Sequence, residues 1–399
     1  MAKEDGNLES QLDWAHSTRT LHADSHLRDV LDVAPPLHVT TTFKYTEDMV
    51  PLWERPSYME GDRVYSRLNA PTTTRYETVL ESVIKGKVIT YSSGCAAFHA
   101  LLVHLNPKRL FMTPGFSGTK HVASLVSRLS GMEVHPLDAP PIQIQADDLI
   151  HLETPLNPTG MALSIRYYAD LAHSFGAFLS VDSSLGPPGL QDPFAFDADI
   201  VMHSGTKYLG GHSDLLCGVL SVRREDWALG LQKDRIHLGS VMGNMESWLG
   251  VRSLRTLDLR VQRQSETAEK LVKWISDCLA STFEGSPEVQ VIQKVVLDVK
   301  HASLQRSEME WLKKQMPNGF GPVFSIMMRE DWMAKQLPSK LALFHHTCSF
   351  GSVDSLIEWR RLTDQSVDPR ILKFSIGLEC WEDLKGDLLS AFQQLEDAS

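Results

Sequence analysis

The chain has 399 residues, 42% apolar and 22% charged, a balance that fits a soluble globular protein of two or three domains. A net charge of −11 and the lack of a Lys/Arg-rich tract argue against nucleic-acid binding. No apolar run nears the roughly 18 residues needed to cross a bilayer. Five cysteines (Cys95, Cys217, Cys278, Cys348, Cys380) without CxxC spacing read as free thiols in a reducing compartment. Residues 1–11 are polar and acidic, with neither a signal-peptide nor a transit pattern, so the expected location is the cytoplasm.

Residues 1–60 read as an arm rather than a domain, since Pro35, Pro36 and the β-branched run through Thr42 favour extended chain. Such an arm is expected to pack on another part of the protein or on a neighbouring subunit. From 72 to 222, apolar runs at 88–91, 109–113, 149–153, 178–181, 200–203 and 216–222 alternate with helical patterns at 96–105, 120–130 and 164–175. That alternation predicts a mostly parallel sheet with helices on both faces, which binds ligands beyond the carboxyl ends of its strands. A long helical stretch from 245 towards Ile275 reads as a connector. Strands at 289–299, 324–328 and 371–376, with a last helix carrying Trp381, Leu384, Leu388, Phe392 and Leu395 on one stripe, predict a smaller α+β domain. The expected division is thus an arm at 1–60, a large domain at 61–250, and a connector with a small domain at 251–399.

Several polar clusters follow these strands. In Ser204-Gly205-Thr206-Lys207, a lysine amine suited to forming a Schiff base sits beside two hydroxyls able to hold a phosphate, although the same turn fits a solvated lysine. Ser93-Gly94-Cys95 reads as a helix start whose backbone N–H groups can bind phosphate, or as an ordinary capped helix. Asp182 ends a strand and is able to pair with a pyridinium nitrogen, or to cap a turn. Asn157 lies between two prolines in a turn. Tyr65 and Arg67, two apart on extended chain, point the same way and can grip a phosphate.

Taken in this order, the segment 204–214, Tyr65-Ser66-Arg67 with Pro71-Thr72, Leu254-Arg255-Thr256-Leu257-Asp258-Leu259-Arg260, and the tail Phe374-Ser375-Ile376-Gly377-Leu378-Glu379 resemble the pyridoxal-phosphate enzymes of cysteine and methionine metabolism. The resemblance to this group of cystathionine γ-synthases, γ-lyases and β-lyases runs from about residue 17 to the C-terminus. It implies an α/β fold of the aspartate-aminotransferase-like type I, with a mostly parallel seven-stranded sheet and a smaller C-terminal domain. It also implies pyridoxal 5'-phosphate on Lys207, with the phosphate held by Ser93, Gly94, Cys95, Ser204 and Thr206. Asp182 is implied at the ring nitrogen, and Asn157 near the ring oxygen or substrate carboxylate. Tyr65 and Arg67 are implied at a neighbouring subunit's phosphate, in a homodimer or a dimer of dimers.

Two positions depart from the family pattern. Phe116, in Phe116-Ser117-Gly118-Thr119, stands where a tyrosine usually stacks on the cofactor; it can stack but has no phenol to move protons. Lys373 stands where the family places its substrate-carboxylate arginine, and lysine lacks the planar fork. Arg360 or Arg361 is a possible substitute, with Ser349 still expected at the carboxylate. The resemblance implies γ-replacement on an O-acyl-L-homoserine-like amino acid, as in cystathionine γ-synthase. The alternatives are a carbon or amine nucleophile, as in some fungal relatives, a cystathionine lyase, and a non-catalytic relative.

Overall fold

The structure, a computed structural model, describes residues 14–27, 31–45, 63–137, 144–282 and 286–398. Seven strands form the larger sheet: β1 (Lys87–Tyr91), β2 (Arg109–Met112), β3 (Glu133–Pro136), β4 (Leu149–Glu153), β5 (Phe178–Asp182), β6 (Ile200–Ser204) and β7 (Gly218–Val222). Their order is β1-β7-β6-β5-β4-β2-β3. β3, β2, β4, β5 and β6 run parallel, while β7 is antiparallel to both of its neighbours. β1 therefore points the same way as β6, and six strands end at one edge. This is the mostly parallel seven-stranded sheet that the family resemblance implies, six of its strands lying at the apolar runs read from the sequence.

The central strands read as nearly continuous apolar runs because helices cover both faces. On one face, Ile89, Leu110, Ile200 and Leu220 meet Phe98 and Leu101 of the helix Gly94–Leu105 and Leu231 of the helix Glu225–Leu238. On the other, Val88, Val201 and Val219 meet Tyr76 and Leu80 of the helix Pro71–Ile84 and Ile165 and Ala169 of the helix Ile165–Ser174.

The second sheet holds β8 (Val296–Lys300), β9 (Val323–Met328), β10 (His345–His346), β11 (Leu356–Trp359) and β12 (Ile371–Ser375), in the order β10-β11-β12-β9-β8. It is antiparallel except between β10 and β11. The helix Trp381–Glu396 buries Leu384, Leu388, Phe392 and Leu395 as its stripe predicts.

Two expectations are corrected, and one strand went unmarked. The run 289–299 is not one strand: Pro287 opens a helix to Val295, and β8 follows. Proline fits the first helical turn, and Val291, Ile292 and Val295 fall on one buried helical face. The connector from 245 is two helices, Asn244–Leu254 and Leu257–Ala280. β3 was not expected, because its residues are largely exposed at the sheet edge and form no apolar run.

Of the arm, residues 1–13, 28–30 and 46–60 lie outside the described residues. The described helix His16–His22 is held by its own chain, with Asp24 clamped by Arg75 at 2.8 Å and Arg255 at 2.8 Å. Further on, Ser66 N donates to Thr41 O at 2.8 Å and Phe43 N to Val64 O at 3.0 Å, so this part of the arm pairs with the segment carrying Tyr65. No helix among the described residues is long and apolar enough to cross a membrane.

Candidate active site

The carboxyl ends of β1, β2, β4, β5 and β6 open onto a cleft of about 320 Å³, closed on its other side by Glu358 of β11 and by Cys348, Phe350, Arg360 and Thr363 from the segments flanking that strand. Ser93, Gly94, Cys95, Phe116, Asn157, Asp182, Ser204, Thr206 and Lys207 all line it, so the turns singled out in the sequence converge on one place.

At the end of β1, Ser93 caps the helix Gly94–Leu105 by accepting a hydrogen bond from Ala96 N at 3.1 Å. The amides of Gly94 and Cys95 lie in the first turn and have no intrahelical acceptor. A Cβ on Gly94 would stand 3.3 Å from Ser204 Oγ, so the missing side chain keeps these amides open to a ligand beside Ser204. Thr206 Oγ1 accepts from Cys217 N at 3.0 Å, tying the Lys207 turn to the start of β7.

Lys207 Nζ donates to Ser349 Oγ at 2.9 Å and stands 4.7 Å from the centre of the Phe350 ring. Burial, and then the neighbouring ammonium of Lys373, lower its pKa to about 8. An amine in that range is readily deprotonated and nucleophilic near neutral pH. Asp182 is buried, accepts from Ser184 N at 3.0 Å and makes no ion pair among the described residues. Burial raises its pKa, a cost that a cationic ring nitrogen would relieve. An anion-binding helix start, an activated lysine and an unpaired buried carboxylate around one cleft fit pyridoxal phosphate.

Phe116 follows β2, is 45% exposed, and is anchored through its backbone N–H, which donates to Glu153 Oε2 at 2.7 Å. The other oxygen of Glu153 accepts from Asn157 N at 2.7 Å. This buried carboxylate therefore spans the Phe116 and Asn157 loops. Burial, with the adjacent Asp182 next, lifts its pKa to about 7. Glu153 was not among the expected site residues; its signal is a lone carboxylate ending the apolar run of β4.

Several expected residues lie elsewhere. Tyr65 is 41% exposed and Arg67 donates to Ile236 O at 3.1 Å; neither lines this chain's own cleft. Lys373 is 1% exposed and does not line it either, because its ammonium is bonded to Glu358 Oε2 at 2.5 Å and Cys348 O at 3.3 Å. Arg361 is corrected as a cleft residue: its guanidinium is spent on the carbonyls of Gln365 and Val367. Glu358, Arg360, Thr363, Cys348 and Phe350 line the cleft without having been anticipated, apart from Arg360 as a substitute. Opposite charges inside two apolar runs, Glu358 in β11 and Lys373 in β12, were the available signal.

Comparison with known proteins agrees with this geometry. The model of the family described as Cys/Met metabolism PLP-dependent enzyme matches residues 17–393. A chloroplastic cystathionine beta-lyase of Arabidopsis thaliana is 30% identical over 404 residues, covering 94% of this chain and 80% of that protein. A cystathionine gamma-lyase of Bacillus subtilis is 29% identical, covering 83% of this chain and 89% of that protein. Among solved structures, apo CalE6, a methionine gamma lyase from Micromonospora echinospora, superposes with a TM-score of 0.81 at 30% identity, over 95% of this chain and 99% of that one. The metB structure from Corynebacterium glutamicum gives 0.84 at 26% identity, over 96% of this chain and 99% of that one. A fold of type I, a cleft at its strand ends whose residues fit pyridoxal phosphate and a match along nearly the whole chain lead to one conclusion: this chain belongs to the Cys/Met metabolism PLP-dependent enzyme family.

Proposed function

We propose that the protein catalyses γ-replacement on an O-acyl-L-homoserine-like amino acid, with cysteine as the incoming nucleophile. When bound, pyridoxal phosphate draws electrons from the α and β carbons of an amino acid joined to it. Lys207 holds the cofactor, with the amides of Gly94 and Cys95 and the hydroxyls of Ser93, Ser204 and Thr206 at its phosphate and Asp182 at its ring nitrogen. Once the substrate's amino group has taken its place, Lys207 is the amine that removes and returns protons at Cα and Cβ.

The observation that carries replacement over lysis is Phe116. It lines the cleft and offers a ring face but no proton. An acyl group leaves Cγ as a carboxylate with the electrons of the broken C–O bond, and its acid has a pKa of roughly 4 to 5, so it needs no donor. A thiol leaving group, with a pKa of about 8.5, gains more from one. The replacement then closes as the cysteine thiol gives its proton to the medium and its sulfur bonds to Cγ, while Lys207 returns the protons taken from Cβ and Cα.

A cystathionine lyase is the second reading, favoured by the names of the Arabidopsis and Bacillus relatives. Tyr65 and Arg67, outside this chain's own cleft, are assigned to the cofactor phosphate of a neighbouring subunit, which makes a homodimer, or a pair of such dimers, the working unit. Incubation with O-acetyl- or O-succinyl-L-homoserine, with and without cysteine, tests the proposal. Cystathionine formed only with cysteine is expected; 2-oxobutyrate and ammonia in its place assign elimination.

A further inference from the structure

An amino-acid substrate brings a carboxylate into the cleft, and the described residues there offer few cations to meet it. Lys207 is committed to the cofactor. Lys373 stands directly opposite Glu358 across β11 and β12 and is bonded to it. Arg361 is turned to backbone carbonyls outside the cleft. Arg360 differs from all three. It lines the cleft, and among the described residues its single side-chain hydrogen bond runs from Nη1 to Glu358 Oε1 at 2.9 Å while its buried Nε has no partner. A buried N–H left unpaired is rare in folded proteins and marks a place where a partner arrives.

The charges around it support the same assignment. Glu358 is a single carboxylate set between two cations, accepting from Lys373 at one oxygen and from Arg360 and Thr363 Oγ1 at the other. Three charged groups thus leave one positive charge over, and of the two cations only Arg360 lines the cleft. The guanidinium edge through Nε is the flat two-donor face that carboxylates bind in pairs.

We propose that Arg360 binds the α-carboxylate of the substrate, and that Lys373 is a positioning residue that neutralises Glu358 and so leaves Arg360 free to do so. The assignment rests on the reading of the cleft as a pyridoxal-phosphate amino-acid site. It moves the carboxylate contact from the strand position that carries it elsewhere in the family to the turn after β11. Lys373, Glu358 and Arg360 then act as one bonded set.

The test titrates cofactor-loaded protein with L-norvaline, which has no γ leaving group, and with butylamine, the same chain without the carboxylate, reading the visible spectrum. In R360M the preference for norvaline over butylamine is expected to fall by about tenfold to a hundredfold, the loss of a charge-assisted pair of hydrogen bonds. R360K, which keeps the charge but not the fork, is expected to lose part of that preference and serves if R360M does not fold. K373M alone leaves the Glu358 charge to Arg360 and is expected to lower the preference, and the double variant K373M/E358Q, which removes the buried pair without a net change of charge, to recover it in part. A preference unchanged in R360M and R360K, or lost only in the double variant, overturns the assignment whatever happens to absolute affinity. A wild-type protein that binds no cofactor overturns the underlying reading instead.

Discussion

Glu153 and Asp182 lie directly opposite each other at the carboxyl ends of β4 and β5, two buried carboxylates with no cation paired to either among the described residues. Like charges this close cannot both ionise cheaply in a low-dielectric site. The arrangement holds a proton near neutral pH on Glu153, while Asp182 awaits a cationic partner.

That proton gives a pH signature in cofactor-free protein. Burial and Asp182 raise Glu153 from 4.5 to about 7, so its contribution to stability is full below 4.5 and is lost as pH rises through 7. E153Q lacks this dependence but gives up one acceptor for the Phe116 and Asn157 amides, at a cost of about 1–3 kcal/mol. The variant is therefore expected to be less stable than wild type at pH 5, with the gap narrowing by pH 8. Denaturant unfolding at the two pH values measures it; a gap that widens contradicts the assignment.

Lys207 gives a second pH signature. With burial first and Lys373 second lowering it to about 8, its acylation by an amine-selective reagent in cofactor-free protein is expected to rise with a midpoint near that value. K373M removes a neighbouring positive charge and should move the midpoint upward. Peptide mapping of the labelled lysine over a pH series reads both.

Restoring a phenol at position 116 tests the leaving-group argument. F116Y supplies a proton donor beside the reacting carbons, and general acid catalysis contributes on the order of a hundredfold when fully positioned. The expected outcome is a gain of about tenfold in 2-oxo acid release from cystathionine relative to replacement. An unchanged ratio would mean that Phe116 does not decide between the two reactions.

The sequence made the site's convergence legible because each polar turn directly follows an apolar run, and a parallel sheet gathers strand ends on one edge. Lys207, Asp182 and Gly94 could be found that way. The Lys373–Glu358 pair could not, since it depends on the register of two strands separated by a turn of irregular length. β3 and the helix Pro287–Val295 were missed for local reasons: one strand has no buried face, and the helix is rich in valine, which read as strand. Glu153 was visible as a carboxylate but not as a tie between two loops, a role that only the fold supplies.

Gly218 links the sheet to the start of the helix Gly94–Leu105. A Cβ there would lie 2.0 Å from Ser93 O, a clash with backbone at the cap of the helix Gly94–Leu105. G218A is expected to cost about 1–3 kcal/mol in stability by overpacking. It should also weaken pyridoxal-phosphate binding, because the amides of Gly94 and Cys95 move with Ser93. Equilibrium dialysis of the cofactor against variant and wild type checks the second effect; equal affinity would separate the cap from the phosphate site.

The claim on which the rest depends is that Lys207 carries the cofactor. Cofactor-free protein loaded with pyridoxal phosphate, reduced with borohydride and digested, reports directly which amine was bonded. The account predicts the pyridoxyl label on the peptide containing Lys207 and no stable visible absorbance in K207A. A label on another lysine, or an unchanged spectrum in K207A, would contradict it.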